Sequence, residues 1–315
     1  MTEPGTIDLS TGAILRTRPP KSAVDPARPY AFFVERECSA TGEVVDVATV
    51  FLTNRECPWH CLMCDLWKNT TDEPVPPGAI PRQIDYALTR LPPARQIKLY
   101  NSGNFFDAQA IRPADHRAIA ERVGRFERVI VENHPKLCGE PCVGFRDVCG
   151  TALEVALGLE TVHPQILPRL NKGMTLDDFA GAVEFLLAHD MAARAFILLR
   201  PPFLSESEGI EWAMKSVEYS FSLGVGCCSV IPTRAGNGIM DRLAHEGFFM
   251  PPTIRSLERV LDYGLSLTGG RVFADLWDIE RFFDCAECGP RRAGRIAAMN
   301  LSQRVEPAVS CQRCG

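Results

Sequence analysis

The chain has 315 residues, 46% of them apolar and 23% charged, with 24 glycines, 24 prolines and a formal charge of −5. This is a globular composition, long enough to bury a large core without staples, and it lacks the global basic field of a protein that coats nucleic acid. No stretch approaches the roughly 20 apolar residues of a membrane helix, and the opening from Met1 to Lys21 has no signal-peptide pattern, so a soluble, cytoplasmic protein with no membrane partner is expected.

Residues 1–43 carry paired prolines and little periodicity and read as an irregular N-terminal extension. From residue 44, short β-branched runs alternate with helical patterns. Strands are predicted at Val44–Leu52, Gln96–Tyr100, Arg128–Val131, Leu153–Leu157, Ala195–Leu199, Cys227–Ile231 and Arg271–Leu276. They are near-continuous apolar runs, as expected of strands buried on both faces of a parallel sheet. The segment between the third and fourth strands, with His134 and Cys138, reads as a loop. Helix starts are marked by Thr175-Leu-Asp-Asp178, by Ser205-Glu-Ser-Glu208 as a capping box, and by Pro251-Pro-Thr253. The pattern predicts an α/β fold: a parallel partial (β/α)6-type barrel over 44–278, followed by a cysteine-containing tail over 279–315.

Ten of the 13 cysteines fall in three clusters, and an odd total with tight spacings points to metal ligation in a reducing compartment. The first, Cys57-x3-Cys61-x2-Cys64, directly follows the first predicted strand and so lies at the carboxyl edge of the sheet. Three thiolates at this spacing ligate three irons of a four-iron cubane and leave the fourth open. The competing reading is a zinc site completed by His60, whose adjacency to Cys61 makes wrapping one ion awkward.

C-x3-C-x2-C after the first strand of an α/β barrel resembles the signature of the radical S-adenosylmethionine (radical SAM) superfamily, and the resemblance covers about residues 44–278. It implies that a [4Fe-4S] cluster on Cys57, Cys61 and Cys64 binds S-adenosylmethionine and cleaves it reductively to a 5′-deoxyadenosyl radical that abstracts substrate hydrogen. It also implies cofactor contacts from Met63 and from Asn101, Ser102, Gly103 and Asn104, which look like the loop that holds the amino group. Glu132 resembles the acidic residue that binds ribose hydroxyls in the coproporphyrinogen-dehydrogenase and elongator-catalytic-subunit branches. Glu160, in Gly158-Leu-Glu-Thr161, resembles a segment of the same branches. Lys172 matches a basic residue that pairs with the cofactor carboxylate, and Ile231 would sit beside the adenine.

Asn101-Ser-Gly-Asn-Phe-Phe-Asp107, Glu132-Asn-His-Pro135 and Pro201-Pro-Phe-Leu-Ser-Glu206 most resemble the radical SAM subunit of archaeosine synthase, which converts a lysine-modified 7-deazaguanine in tRNA to an amidine. This implies a modified tRNA nucleoside as substrate, with a small molecule or peptide as the alternative, and an external flavodoxin- or ferredoxin-type reductant. A non-catalytic iron–sulfur electron carrier is the competing function from another class. The charge of −5 and the lack of an obvious RNA-binding appendix do not favour tRNA. Arg291, Arg292 and Arg295 read as solubilising surface charges or phosphate contacts.

Two cysteine clusters remain. Cys138, Cys142 and Cys149 read as structural thiols, with a second metal site as the alternative. Cys285-x2-Cys288 and Cys311-x2-Cys314 supply a complete tetrahedral set for zinc, which a short tail with a small core would need as a staple; an auxiliary four-iron cluster is the alternative.

Overall fold

A computed structural model describes residues 7–314. Eight strands form one sheet in the order of the sequence: β1 (Ala31–Cys38), β2 (Val44–Phe51), β3 (Gln96–Tyr100), β4 (Arg128–Asn133), β5 (Ala152–Glu160), β6 (Ala192–Leu199), β7 (Cys227–Pro232) and β8 (Arg271–Ala274). β1 pairs antiparallel to β2; the six remaining pairings are parallel. The parallel set therefore has seven strands, one more than a six-unit barrel. In β5 every residue after Ala152 is buried, Glu154 and Glu160 included, as a strand covered on both faces requires.

Helices α2 (Ala79–Leu88), α3 (His116–Val123), α4 (Glu140–Cys149), α5 (Leu176–Ala188), α6 (Glu206–Ser222), α7 (Ile239–His245) and α8 (Ile254–Ser266) cross between the strands. Thr175 and Ser205 close capping boxes with Asp178 and Glu208, and Thr253 caps α8 through the Ser256 N–H.

The sheet must curl, because charges on strands far apart in its order meet inside it. Arg194 of β6 donates to Glu37 of β1 at 2.6 Å and to Glu154 of β5 at 2.7 Å. Lys98 of β3 donates to the same Glu37 at 2.5 Å and to Glu35 at 2.8 Å. Burial alone would disfavour these charges; each is instead paired, and Arg194 and Lys98 hold the Glu37 carboxyl well below the usual carboxylate range.

The N-terminal segment is more ordered than its composition suggests. Besides β1, it forms α1 (Thr11–Thr17), started by Ser10, whose hydroxyl accepts from the Ala13 N–H. Ile14 of α1 packs with Leu62, Leu170 and Ile239. β1 escapes a simple apolar pattern because it is an edge strand whose charges point inward.

The far edge, β8, is covered by α9 (Gly289–Ser302), a better-defined helix than its weak periodicity predicts. The Gln303 carboxamide bonds both the N–H and the C=O of Val272, and Asn300 does the same at Ala274. Two side chains thus stand where a ninth strand would pair.

The segment expected as a loop after β4 contains α4. Pro141 lies in its first turn, and Gly150 ends it in the left-handed conformation. Cys142, Phe145 and Cys149 recur at helical spacing and are all buried. Two of the three cysteines of the middle cluster are therefore core residues on one helix face. Cys138 neighbours them, accepting from the Asn133 amide at 3.7 Å.

Candidate functional site

The carboxyl edge of the sheet gathers the loops after β2, β3, β4, β5 and β7. Residues 53–65 follow β2 and are tied down at several points. The Gln83 carboxamide, fully buried on α2, accepts from the Thr53 N–H at 2.8 Å and donates to the Thr53 carbonyl at 2.7 Å. Leu62 N–H donates to the Leu170 carbonyl at 2.8 Å, and Asn171 donates to the His60 carbonyl at 2.8 Å. The buried Asn237 donates to the Leu62 and Cys64 carbonyls at 2.8 and 3.0 Å. From outside, Arg18 reaches Glu56 at 2.5 Å and lies 4.4 Å over the Trp67 ring.

Cys57, Cys61 and Cys64 are half-buried on this loop. Burial pushes the Cys57 and Cys61 thiols up to about 11 and Cys64 up to about 12. Among the described residues, only the four tail cysteines gather three or more ligand atoms within 4.8 Å of one another. The three loop thiols are not all gathered that closely. His60 does not complete a zinc set with them; its Nε2 lies 3.7 Å from Glu56.

The loop after β3 sits against these thiols. Ser102 holds a positive φ of 52°, and Gly103 lies so close that a Cβ there would be 3.5 Å from the Cys57 Cβ. Asn104 donates to the Cys57 sulfur at 3.2 Å, so this side chain is engaged with the cysteine loop. Asn101 is fully buried, and neither its Oδ1 nor its Nδ2 has a hydrogen-bond partner. A buried carboxamide in that state calls for a polar partner, a water or a bound ligand.

Glu132, near the end of β4, holds this loop. Its Oε1 accepts from the Asn101 N–H at 2.6 Å and the Gly103 N–H at 3.3 Å. Burial pushes its carboxyl up to about 7 against the opposing pull of these backbone donors.

At the end of β5 the register shifts between Gly158 and Glu160, and Glu160 adopts a φ of 66°. Lys172 donates to Glu160 Oε1 at 2.8 Å, both side chains being about nine-tenths buried. Burial disfavours the Lys172 charge, but Glu160 outweighs it, with the nearby Cys61 and Cys57 contributing to the same effect, and holds the ammonium above the ordinary lysine range. The pair lies over Gly158: a Cβ there would be 2.2 Å from Glu160 Oε1 and 2.4 Å from Lys172 Nζ. Only glycine leaves that space.

His134 and Trp59 connect these parts. Their rings stack at 3.8 Å with 1° between planes, and His134 Nε2 lies 3.1 Å from the Lys172 carbonyl. Burial and the Lys172 charge lower His134 to about 4, so it is neutral. Met63 and Ile231 pack against one apolar cluster with Leu62, Leu198 and Ile239. Tyr30, Phe51, Tyr100 and Phe196 form a run of ring contacts at 5.5–6.1 Å, and the Tyr30 hydroxyl meets Ser102 Oγ at 2.8 Å.

Every residue expected at this edge therefore lies on its loops or strand ends. Sequence reasoning missed Gln83, Asn237, Trp59 and Tyr30. Three of them bond or stack on the loops from distant segments, and only the placement of Trp59 between Cys57 and Cys61 is a local signal.

Arg292 and Arg295 are not surface charges. Both are buried and donate to Glu258 of α8 at 2.5 and 3.2 Å, so neither is free for a phosphate.

The chain is 27% identical over 232 residues to archaeosine synthase subunit beta of Methanosarcina acetivorans, a match that spans 68% of this chain and 65% of that protein's length. Among solved structures, methylornithine synthase (PylB) has a TM-score of 0.54 at 14% identity, covering 81% of this chain and 70% of that one. Elp3 of Methanocaldococcus infernus, lacking its N-terminus, has a TM-score of 0.53 at 16% identity, covering 70% and 59%. No family model matches the chain. No helix among the described residues is long and apolar enough to cross a membrane.

Proposed function

We propose that the chain is a radical SAM enzyme that cleaves S-adenosylmethionine reductively and uses the radical to abstract hydrogen from a modified nucleoside of tRNA; its similarity to archaeosine synthase subunit beta and the fold it shares with PylB and Elp3 support this. The observation that carries the reading is the meeting, at one edge of the sheet, of the three loop thiols, the buried Lys172–Glu160 pair and the unsatisfied Asn101 carboxamide. When bound, a four-iron cluster with one open iron supplies the electron that breaks the sulfonium C–S bond.

The chain's own residues bind and orient. Cys57, Cys61 and Cys64 would hold three irons, and the Asn104 amide donates to the first of these sulfurs. Lys172, kept charged by Glu160, would hold the cofactor carboxylate through a charge-assisted contact in a poorly hydrated site. Glu132 uses one oxygen to hold the loop of Asn101, Ser102 and Gly103 and offers the other to ribose hydroxyls. Met63 and Ile231 give the adenine an apolar wall. The aromatic run inside the sheet keeps water from the space where a radical would form.

The tRNA target rests on the relative named archaeosine synthase subunit beta, and a flavodoxin- or ferredoxin-type protein is the proposed electron donor. The test is anaerobic incubation of the reconstituted, reduced chain with S-adenosylmethionine, measuring 5′-deoxyadenosine by mass spectrometry. Wild type forms it, and the Cys57→Ala, Cys61→Ala, Cys64→Ala triple variant does not; formation by the triple variant overturns the reading. Adding tRNA that carries the modified base raises turnover, whereas an unchanged yield with tRNA rejects that substrate.

A further inference from the structure

We propose that Cys285, Cys288, Cys311 and Cys314 hold one tetrahedral zinc ion that clasps the C-terminal segment to helix α8, with Arg292 as an outer donor to the Cys288 sulfur. The site is independent of the cluster loop and of the reading given to it.

Geometry separates a single ion from a cluster. All four sulfurs lie within 4.8 Å of one another, with Cys285 and Cys311 at 3.9 Å and Cys288 and Cys314 at 3.5 Å. Zn–S bonds of about 2.3 Å in a tetrahedron put the sulfurs roughly 3.8 Å apart. A cube of iron and sulfide set between the thiolates would spread them well past these distances. Four soft thiolates with no open position are also the donor set of a structural zinc site.

The surroundings suit a charged thiolate site. Four thiolates around a divalent ion leave two negative charges, and two arginines lie beside them. Arg292 Nε donates to the Cys288 sulfur at 3.4 Å, and Arg255 donates to the Cys314 carbonyl at 3.4 Å. Arg292 also reaches Glu258 and the Val309 carbonyl, and Arg255 pairs with Asp284 at 2.5 Å. Arg295 binds Glu258, Asp262 and the Glu306 and Pro307 carbonyls. Arg255, Glu258 and Asp262 recur on one face of α8, so the metal closes a segment already bolted to that face.

The test uses the full chain purified with zinc supplied, alongside the Cys57→Ala, Cys61→Ala, Cys64→Ala variant. Metal analysis is expected to find one zinc per chain in both, with no iron or sulfide in the triple variant after reconstitution. Cobalt exchanged into that variant should give the intense visible bands of a tetrahedral thiolate site. Iron and sulfide retained by the triple variant, or no zinc in either protein, overturns the proposal. Arg292→Gln should keep zinc stoichiometry but weaken affinity by roughly ten- to a hundredfold in chelator competition; affinity within twofold of wild type removes Arg292 from the site. Because a cysteine variant can fail to fold, the clasp is read on wild type, where zinc removal by chelator must lower Tm; an unchanged Tm rejects it.

Discussion

Gly158→Ala probes the Lys172–Glu160 pair without removing either charge. The added methyl would fall 2.2 Å from Glu160 Oε1 and 2.4 Å from Lys172 Nζ. Both obstructing atoms are the ends of flexible side chains, so they swing aside and the strand survives. What is lost is a 2.8 Å charge-assisted hydrogen bond in a buried place, about 1.5–3 kcal/mol. On stability this should lower Tm by roughly 3–12 °C, at about 2–4 °C per kcal/mol for a chain of this size. If the Lys172 ammonium grips the cofactor carboxylate, its displacement should weaken S-adenosylmethionine binding by roughly 10- to 150-fold. Equilibrium dialysis on anaerobically reconstituted protein measures this. Lys172→Met supplies the control: both changes act through one ammonium, so the double variant should bind no more weakly than Lys172→Met alone. Affinity within twofold of wild type, with the Tm drop present, would refute the role given to the pair. Fully additive losses would refute the route through Lys172.

Other outcomes follow from the same geometry. Asn237→Ala removes two bonds to the cysteine loop and one to the Met240 N–H, so it should cost about 1–3 kcal/mol in urea unfolding and lower iron retention. Glu132 has a folded pKa raised to about 7, so its contribution to stability is full below about pH 4.5 and is lost as pH rises toward 7, at most about 3 kcal/mol. His134, lowered to about 4, contributes above about pH 6.5 and loses that contribution as pH falls toward 4. The two slopes oppose each other, and Glu132→Gln should therefore expose a stability that rises with pH across this window in urea titrations of the metal-free chain. Replacing Cys142 and Cys149 with alanine should leave the metal content of reconstituted protein unchanged and lower Tm, as expected of core thiols.

The parallel strands were legible because burial on both faces leaves runs that are mostly apolar and β-branched; Gln96–Tyr100 was placed to the residue even though it carries the buried Lys98. The helix starts at Thr175, Ser205 and Thr253 were equally visible, since a cap is a local chemical event. α4 was not, because the prolines and glycines that start and end it look like loop punctuation, and its apolar face is partly built from cysteines. β1 hid for a different reason: its glutamates are matched by Lys98 and Arg194, which lie more than 60 residues away. The same holds at the candidate site. The cysteine spacing and the positions of Glu132 and Lys172 could be singled out locally. That Asn237 anchors the cysteine loop and that Glu132 organises the Asn101 loop depends on tertiary contacts that no local pattern encodes.

The two carboxamides on β8 have a consequence for handling the protein. A four-residue strand ending a sheet presents unpaired backbone groups that can template another chain, and Asn300 and Gln303 occupy those groups at Ala274 and Val272. They are held there by α9, whose first turn begins at Cys288. If the thiol set at that turn is stripped or oxidised and the helix lifts, a sticky seam opens on an otherwise closed surface. Oxidative damage to the tail would then show itself first as self-association through β8, before the barrel itself unfolds.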